Sequence, residues 1–303
     1  MRFRFSLYQV AMTLVLTALI TGCSVEKNTG ASRFYNSLIA KYNVYFNGNE
    51  AYKAGVEKVK GSHRDDYNTM LPVFLYTTPE SAQVSASDME RAIQKASKVI
   101  ALYSITARPD ESKRGKRDSK SDEFYNRREY NEWVDDAYLL LAKAQFYQKN
   151  YGAARSAFSY TISITTDKDI ISEANIWLAR LQTEDRNYTE AARLLQGLNG
   201  IEESSRALQS MMYSTQADIA LRQKRYNDAV SPLSRAIGTS GDKQTRVRLT
   251  YLLAQACAAG GDDALSKNYF REVLRMNPPY DLEFAAGINL AGVTDISDED
   301  YDD

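Results

Sequence analysis

Three stretches of the chain share one spacing: an aromatic, two residues, an alanine, three residues and a large apolar side chain. They are Tyr151–Ala154–Phe158, Tyr188–Ala191–Leu195 and Tyr226–Ala229–Leu233. The starts lie 37 and 38 residues apart, and a fourth copy begins 37 residues further on, at Asp263, with Phe270 as its large residue and Pro278 closing it. Ten residues before these starts stand Leu141-Ala142, Leu178-Ala179, Gln216-Ala217 and Leu253-Ala254. Self-similarity at a fixed period means that each unit buries its apolar face against its neighbours rather than in one central core.

Small residues at fixed places let two antiparallel helices cross closely, and the aromatic closes the hairpin. This is the tetratricopeptide pattern, with a period slightly above the usual 34 or so. The expected fold class is all-α: a right-handed α-solenoid of tetratricopeptide-like helical hairpins, with four repeats over 133–280. In that register Ala154, Ala191 and Ala229 are packing residues. Residues 281–294 read as a capping helix interrupted by Gly287 and Gly292, and residues 295–303 as an acidic tail.

Upstream, residues 34–105 read as a helical hairpin region. A helix over Phe34 to Phe46 turns at Asn47-Gly48-Asn49 into a second helix reaching Val59, and another helix runs from Ser87 to Tyr103. Residues 106–132 have no apolar period and carry the basic run Lys113-Arg114-Gly115-Lys116-Arg117 among several acids. They read as a solvated linker, or as a docking site for an acidic partner.

The amino terminus is a targeting signal. Arg2 and Arg4 precede an apolar stretch from Val10 to Ile20, and then comes Ile20-Thr21-Gly22-Cys23. That stretch is short for a membrane span. Small residues before a cysteine match the bacterial lipobox. The expectation is a signal peptide over 1–22, a lipid on Cys23 and a flexible tether over 23–33. Ser24 after the cysteine favours the outer membrane, with the protein facing the periplasm.

What the chain lacks narrows its chemistry. His63 is its one histidine, placed in a polar stretch as a solvated side chain, and Cys23 and Cys257 are its two cysteines. Zinc sites and nucleophile–base pairs usually need more of these residues, so neither metal, cofactor nor catalytic residue is expected. Cys257 sits in an apolar helical run and reads as core. Asp135-Asp136 and Asp262-Asp263 read as helix-start carboxylates. A net charge of −1 gives no field drawing the chain to nucleic acid. Trp133 and Trp177 offer a glycan-binding alternative, but both fall at repeat positions where packing is the default.

Three motifs carry a resemblance. Tyr42-Asn43-Val44-Tyr45-Phe46-Asn47-Gly48-Asn49-Glu50-Ala51-Tyr52, Trp133-Val134-Asp135-Asp136-Ala137-Tyr138-Leu139-Leu140 and Asn277-Pro278-Pro279-Tyr280-Asp281-Leu282-Glu283-Phe284 are similar to motifs of a lipoprotein family. These are the tetratricopeptide lipoproteins of Bacteroidetes gliding motility and type IX secretion, of the SprE/PorW type. Those proteins continue with more repeats, so this chain resembles a shortened form. The resemblance implies an outer-membrane-anchored scaffold that binds other envelope proteins. An accessory lipoprotein of outer-membrane protein assembly is the alternative.

The register also nominates a binding face. The first helix of each hairpin lines the concave side of such a solenoid. That face holds Lys143, Phe146, Tyr147, Arg180, Asp218, Arg222, Arg248 and Tyr251, cationic and aromatic enough for an extended peptide bearing carboxylates. The position that holds a clamp asparagine in chaperone-binding relatives is Lys143, Arg180, Asp218 and Gln255 here.

Overall fold

The computed structural model describes residues 28–294 apart from 116, 117 and 199. Cys23, the signal segment, the acidic tail, Lys116 and Arg117 lie outside the described residues. Every regular element described is helical.

Helix α1 (Gly30–Ile39) passes through a π-helical segment (Ala40–Tyr45) directly into α2 (Phe46–Ser62). The turn expected at Asn47-Gly48-Asn49 is not there. Gly48 serves a different need: a Cβ on it would come within 2.9 Å of Lys95 Cβ, and one on Gly55 within 2.7 Å of Met89 Cε. Both glycines let α2 cross α3 (Pro79–Tyr103) at close range. A loop follows α3, containing the short α4 (Ser119–Tyr125). It is more ordered than a solvated linker. The Glu129 carboxylate accepts from the amides of Ile105, Tyr130 and Asn131, and Phe124 packs against Tyr130. Arg114 of the basic run pairs with Asp122.

Four hairpins come next: α5 (Val134–Tyr147) with α6 (Tyr151–Ile164), α7 (Lys168–Glu184) with α8 (Tyr188–Gln196), α9 (Arg206–Arg222) with α10 (Tyr226–Thr239), and α11 (Lys243–Ala259) with α12 (Asp263–Arg275). Each second helix starts on the residue that opens the sequence repeat. The turns share one device, a residue in left-handed conformation two positions before that start: Lys149, Arg186, Lys224 and Gly261. The next amide then reaches back to the carbonyl five residues earlier, as Asn150 to Gln145, Asn187 to Gln182, Arg225 to Ala220 and Asp262 to Cys257. These are Schellman closures, usually built on glycine; three of the four here use a long cationic residue instead.

Ala154, Ala191 and Ala229 are fully buried where the paired helices cross. Leucine at position 191 adds volume that close-packed helices cannot absorb without strain, at about 1–3 kcal/mol. We expect Ala191→Leu to lower the melting temperature; an unchanged thermal melt would refute this packing. The last described helix, α13 (Tyr280–Gly292), lays Leu282, Ala285 and Ala286 on the fourth hairpin. Among the described residues no helix is long and apolar enough to cross a membrane.

Candidate functional site: the concave groove

The side chains that line the groove come from the first helices of the hairpins. Because α-helical side chains three and four apart share a face, Lys143, Phe146 and Tyr147 cluster on α5, and Asp218 and Arg222 on α9. The groove between them is occupied by the chain itself. Residues 63–78, which join α2 to α3, run through it as a strap from the fourth hairpin to the first.

The strap is gripped along its length. At the fourth hairpin the Arg248 guanidinium takes Asp65 in a two-pronged contact, 2.8 Å on each side, and donates at 3.4 Å to the Val73 carbonyl. Tyr251 packs edge-on to Tyr67, with ring centres 5.4 Å apart, and its hydroxyl donates to the Tyr67 carbonyl. Gln255 binds main chain as a neighbouring strand would. Its Nε2 donates to the Thr69 carbonyl at 2.8 Å, and its Oε1 accepts from the Leu71 amide at 3.1 Å. In the middle, Leu71 and Val73 are buried in the same apolar cluster as Tyr213 and Tyr251. The Arg180 guanidinium lies 4.1 Å from the Phe74 ring centre and 4.5 Å from that of Trp177. At the first two hairpins, the buried Tyr76 ring meets Phe146 and Tyr147 of α5 and Trp177 of α7. The Lys149 ammonium, on its left-handed turn, donates to the Thr78 carbonyl at 2.9 Å.

The residues nominated from sequence therefore do not share one role. Phe146, Tyr147, Arg180, Arg248 and Tyr251 hold the strap. Lys143 instead pairs with Glu173 at 2.9 Å and lies over the Tyr52 ring of α2. Asp218 and Arg222 form an inter-helix network with Glu184 of the preceding hairpin: Arg222 reaches Glu184 at 2.6 Å and Asp218 at 3.0 Å. Burial raises the Asp218 carboxyl to about 6 despite the pull of Arg222. Burial works against the Arg222 charge too, but Asp218 and Glu184 overcome it and hold that guanidinium firmly protonated. His63 is not solvated as its sequence context suggests; it is mostly buried and bonded to Asp65 at 2.9 Å.

Several contributors were not among the nominated residues. Gln255 occupies the same repeat position as Lys143, Arg180 and Asp218, a signal that was legible in the register. Tyr52, Asn289 (whose amide donates to the Tyr251 hydroxyl at 2.9 Å) and the strap itself had no such signal. Trp177 is buried, and its face is stacked on Phe158. Trp133 packs against Tyr45 with the Lys41 ammonium over its ring. Neither indole is laid out as a sugar platform. Cys257 is fully buried, and burial pushes its thiol up to about 11, which keeps it protonated and inert.

A second feature lies at the first turn of α5. Burial, and then the neighbouring Asp135, raise the Asp136 carboxyl from 3.8 to about 7; Lys143 opposes this, while Asp167 and Glu173 add to it. A carboxyl raised by folding contributes stability below its unfolded value and loses it as pH rises through its folded one. The window here runs from 3.8 to about 7. We expect Asp136→Asn to raise the melting temperature more at about pH 8 than at about pH 5. A pH-independent difference would contradict it.

A search of curated proteins finds no match to the chain. A family profile described as a tetratricopeptide repeat-like domain matches residues 86–253, from within α3 to within α11. Together with the hairpin stack and its repeated turns, that match places the chain in the tetratricopeptide repeat-like family.

Proposed function

We propose that the protein is a lipid-tethered scaffold of the bacterial cell envelope that binds other proteins through the exposed row of α13, not through its groove. The observation that carries this is the outer face of α13. Tyr280 is 77% exposed, Phe284 61% and Ile288 57%, one row on the last described helix that borders the start of the strap at residues 65–68. That row has the form of a surface on which a further helix would stack, so the fitting partner is a protein presenting an apolar helix face. Repeat domains of this family act by binding proteins, and a non-catalytic role follows from that reading.

The tether rests on the lipobox at Cys23, and the outer-membrane address on Ser24. The motif resemblance supports a role beside a secretion or gliding assembly. The test is co-purification from the native host with Tyr280→Ser and Phe284→Ser combined. Both side chains are exposed, so circular dichroism should not change while the helix-bearing partner is lost. Retention of every partner by the folded variant would refute docking at α13. Acyl chains should be found on Cys23 of the protein from washed outer membranes, and an unacylated cysteine would refute the tether.

A further inference from the structure

The other end of the molecule carries a second apolar stripe of a different character. Phe34, Tyr35, Leu38, Tyr42 and Phe46 are all exposed, Phe34 by 71% and Tyr42 by 60%. On the opposite side Asn36, Ala40, Val44 and Gly48 are buried. Both rows advance four residues at a time. In a regular α-helix such a row drifts around the axis, because four residues exceed one turn. The π-helical segment over Ala40–Tyr45 turns less per residue and brings the row back into line. The result is a straight strip, with a buried seam beneath it and large side chains standing out from it.

Charge and chain length indicate what lies against the strip. From Asn28 to Asn49 the sequence has Arg33 and Lys41 and no carboxylate, although the protein as a whole is weakly acidic. Phe, Tyr and Leu alongside sparse cations suit the headgroup layer of a bilayer, where aromatic side chains sit with an apolar body and a polar tip. Gly30 follows Cys23 by seven residues, a span of at most about 25 Å when fully extended. If Cys23 is acylated, the start of α1 cannot leave the vicinity of the membrane surface.

We propose that the α1 strip lies on the phospholipid surface and sets the orientation of the solenoid on the membrane, leaving α13 at the far end of the stack for protein contact. This rests on the tether reading above, and the test separates the two. Unacylated full-length mature protein carrying Cys23→Ser is mixed with vesicles of phosphatidylethanolamine and phosphatidylglycerol and sedimented. The same protein with Phe34→Ser, Leu38→Ser and Tyr42→Ser is compared, after circular dichroism shows that its helices are kept. The intact strip should bind, and the triple variant should partition about tenfold or more weaker. Equal partition of the two, or no vesicle binding by the intact strip, would overturn the proposal. So would a change confined to self-association without lipid, which would make a second copy the occupant. Mass spectrometry of Cys23 from native membranes tests the tether separately: an unacylated cysteine would sink that reading and leave the vesicle result standing.

Discussion

Replacing Tyr76 by alanine is expected to destabilise the whole solenoid by about 3–5 kcal/mol, as truncation of a large buried aromatic does. Tyr76 sits where the strap enters the first hairpin, against Phe146, Tyr147 and Trp177, and it is stacked on Phe74. The effect should extend beyond its own contacts. An ordinary solenoid couples only neighbouring repeats, so its ends unfold semi-independently. Here the strap joins the first hairpin to the fourth, through Asp65 on Arg248 at one end and Tyr76 at the other. Tyr76→Ala should therefore lower the melting temperature by on the order of 10 °C and broaden the transition. Tyr76→Phe is the informative control. The Tyr76 hydroxyl is buried without a hydrogen-bond partner, so removing it should leave stability unchanged or raise it slightly. A sharp, unshifted melt of the alanine variant would mean that the strap contributes little.

The second large effect belongs to Arg222. Asp218 is almost fully buried, and Arg222 is the cation that compensates both it and Glu184. Removing one partner of a buried ion pair costs about 3–5 kcal/mol, because the other charge is left uncompensated. Arg222→Glu adds a third carboxylate to the two already there and should lie at the top of that range or above it. Neutralising the network together, with Glu184→Gln, Asp218→Asn and Arg222→Met, should recover most of the loss. Chemical denaturation of the single and triple variants measures both; equal stability of wild type and Arg222→Glu would contradict the network. The result bears on any use of such variants as groove probes. Arg180 is also buried, bonding Thr215 at 3.0 Å. A double Arg180→Glu, Arg222→Glu protein that lost its partners would report lost folding rather than a blocked groove.

Much of this architecture could be read from sequence because a repeat writes the same contact several times. The spacing from Tyr151 to Asp263 placed the starts of α6, α8, α10 and α12 to the residue. Single, non-repeated events were harder. Gly48 in an Asn-Gly-Asn setting has the local signature of a turn, and only the nearness of Lys95 and Leu140 across the crossing explains why it is helical. The hairpin turns carry Lys149, Arg186 and Lys224 in a conformation that favours glycine, so their sequence does not announce them. The strap was the least legible part. Leu71, Val73, Phe74 and Tyr76 form an apolar run around Pro72 with no helical period, and what buries them lies up to about 180 residues away, as in the Leu71–Gln255 bond. The groove residues were identified by chemistry, which suits an extended segment with a carboxylate. That segment proves to be the protein's own, with Asp65 as the carboxylate.

On the function proposed above, the groove is filled from within and partners meet the protein at α13. Site-specific photocrosslinking in the native host tests it directly, with a benzophenone amino acid placed at Gln255 in one strain and at Phe284 in another. The Gln255 probe should capture residues 63–78 of the same chain, and the Phe284 probe a helical segment of another protein. Capture of a second protein from Gln255, with the strap uncrosslinked, would contradict it.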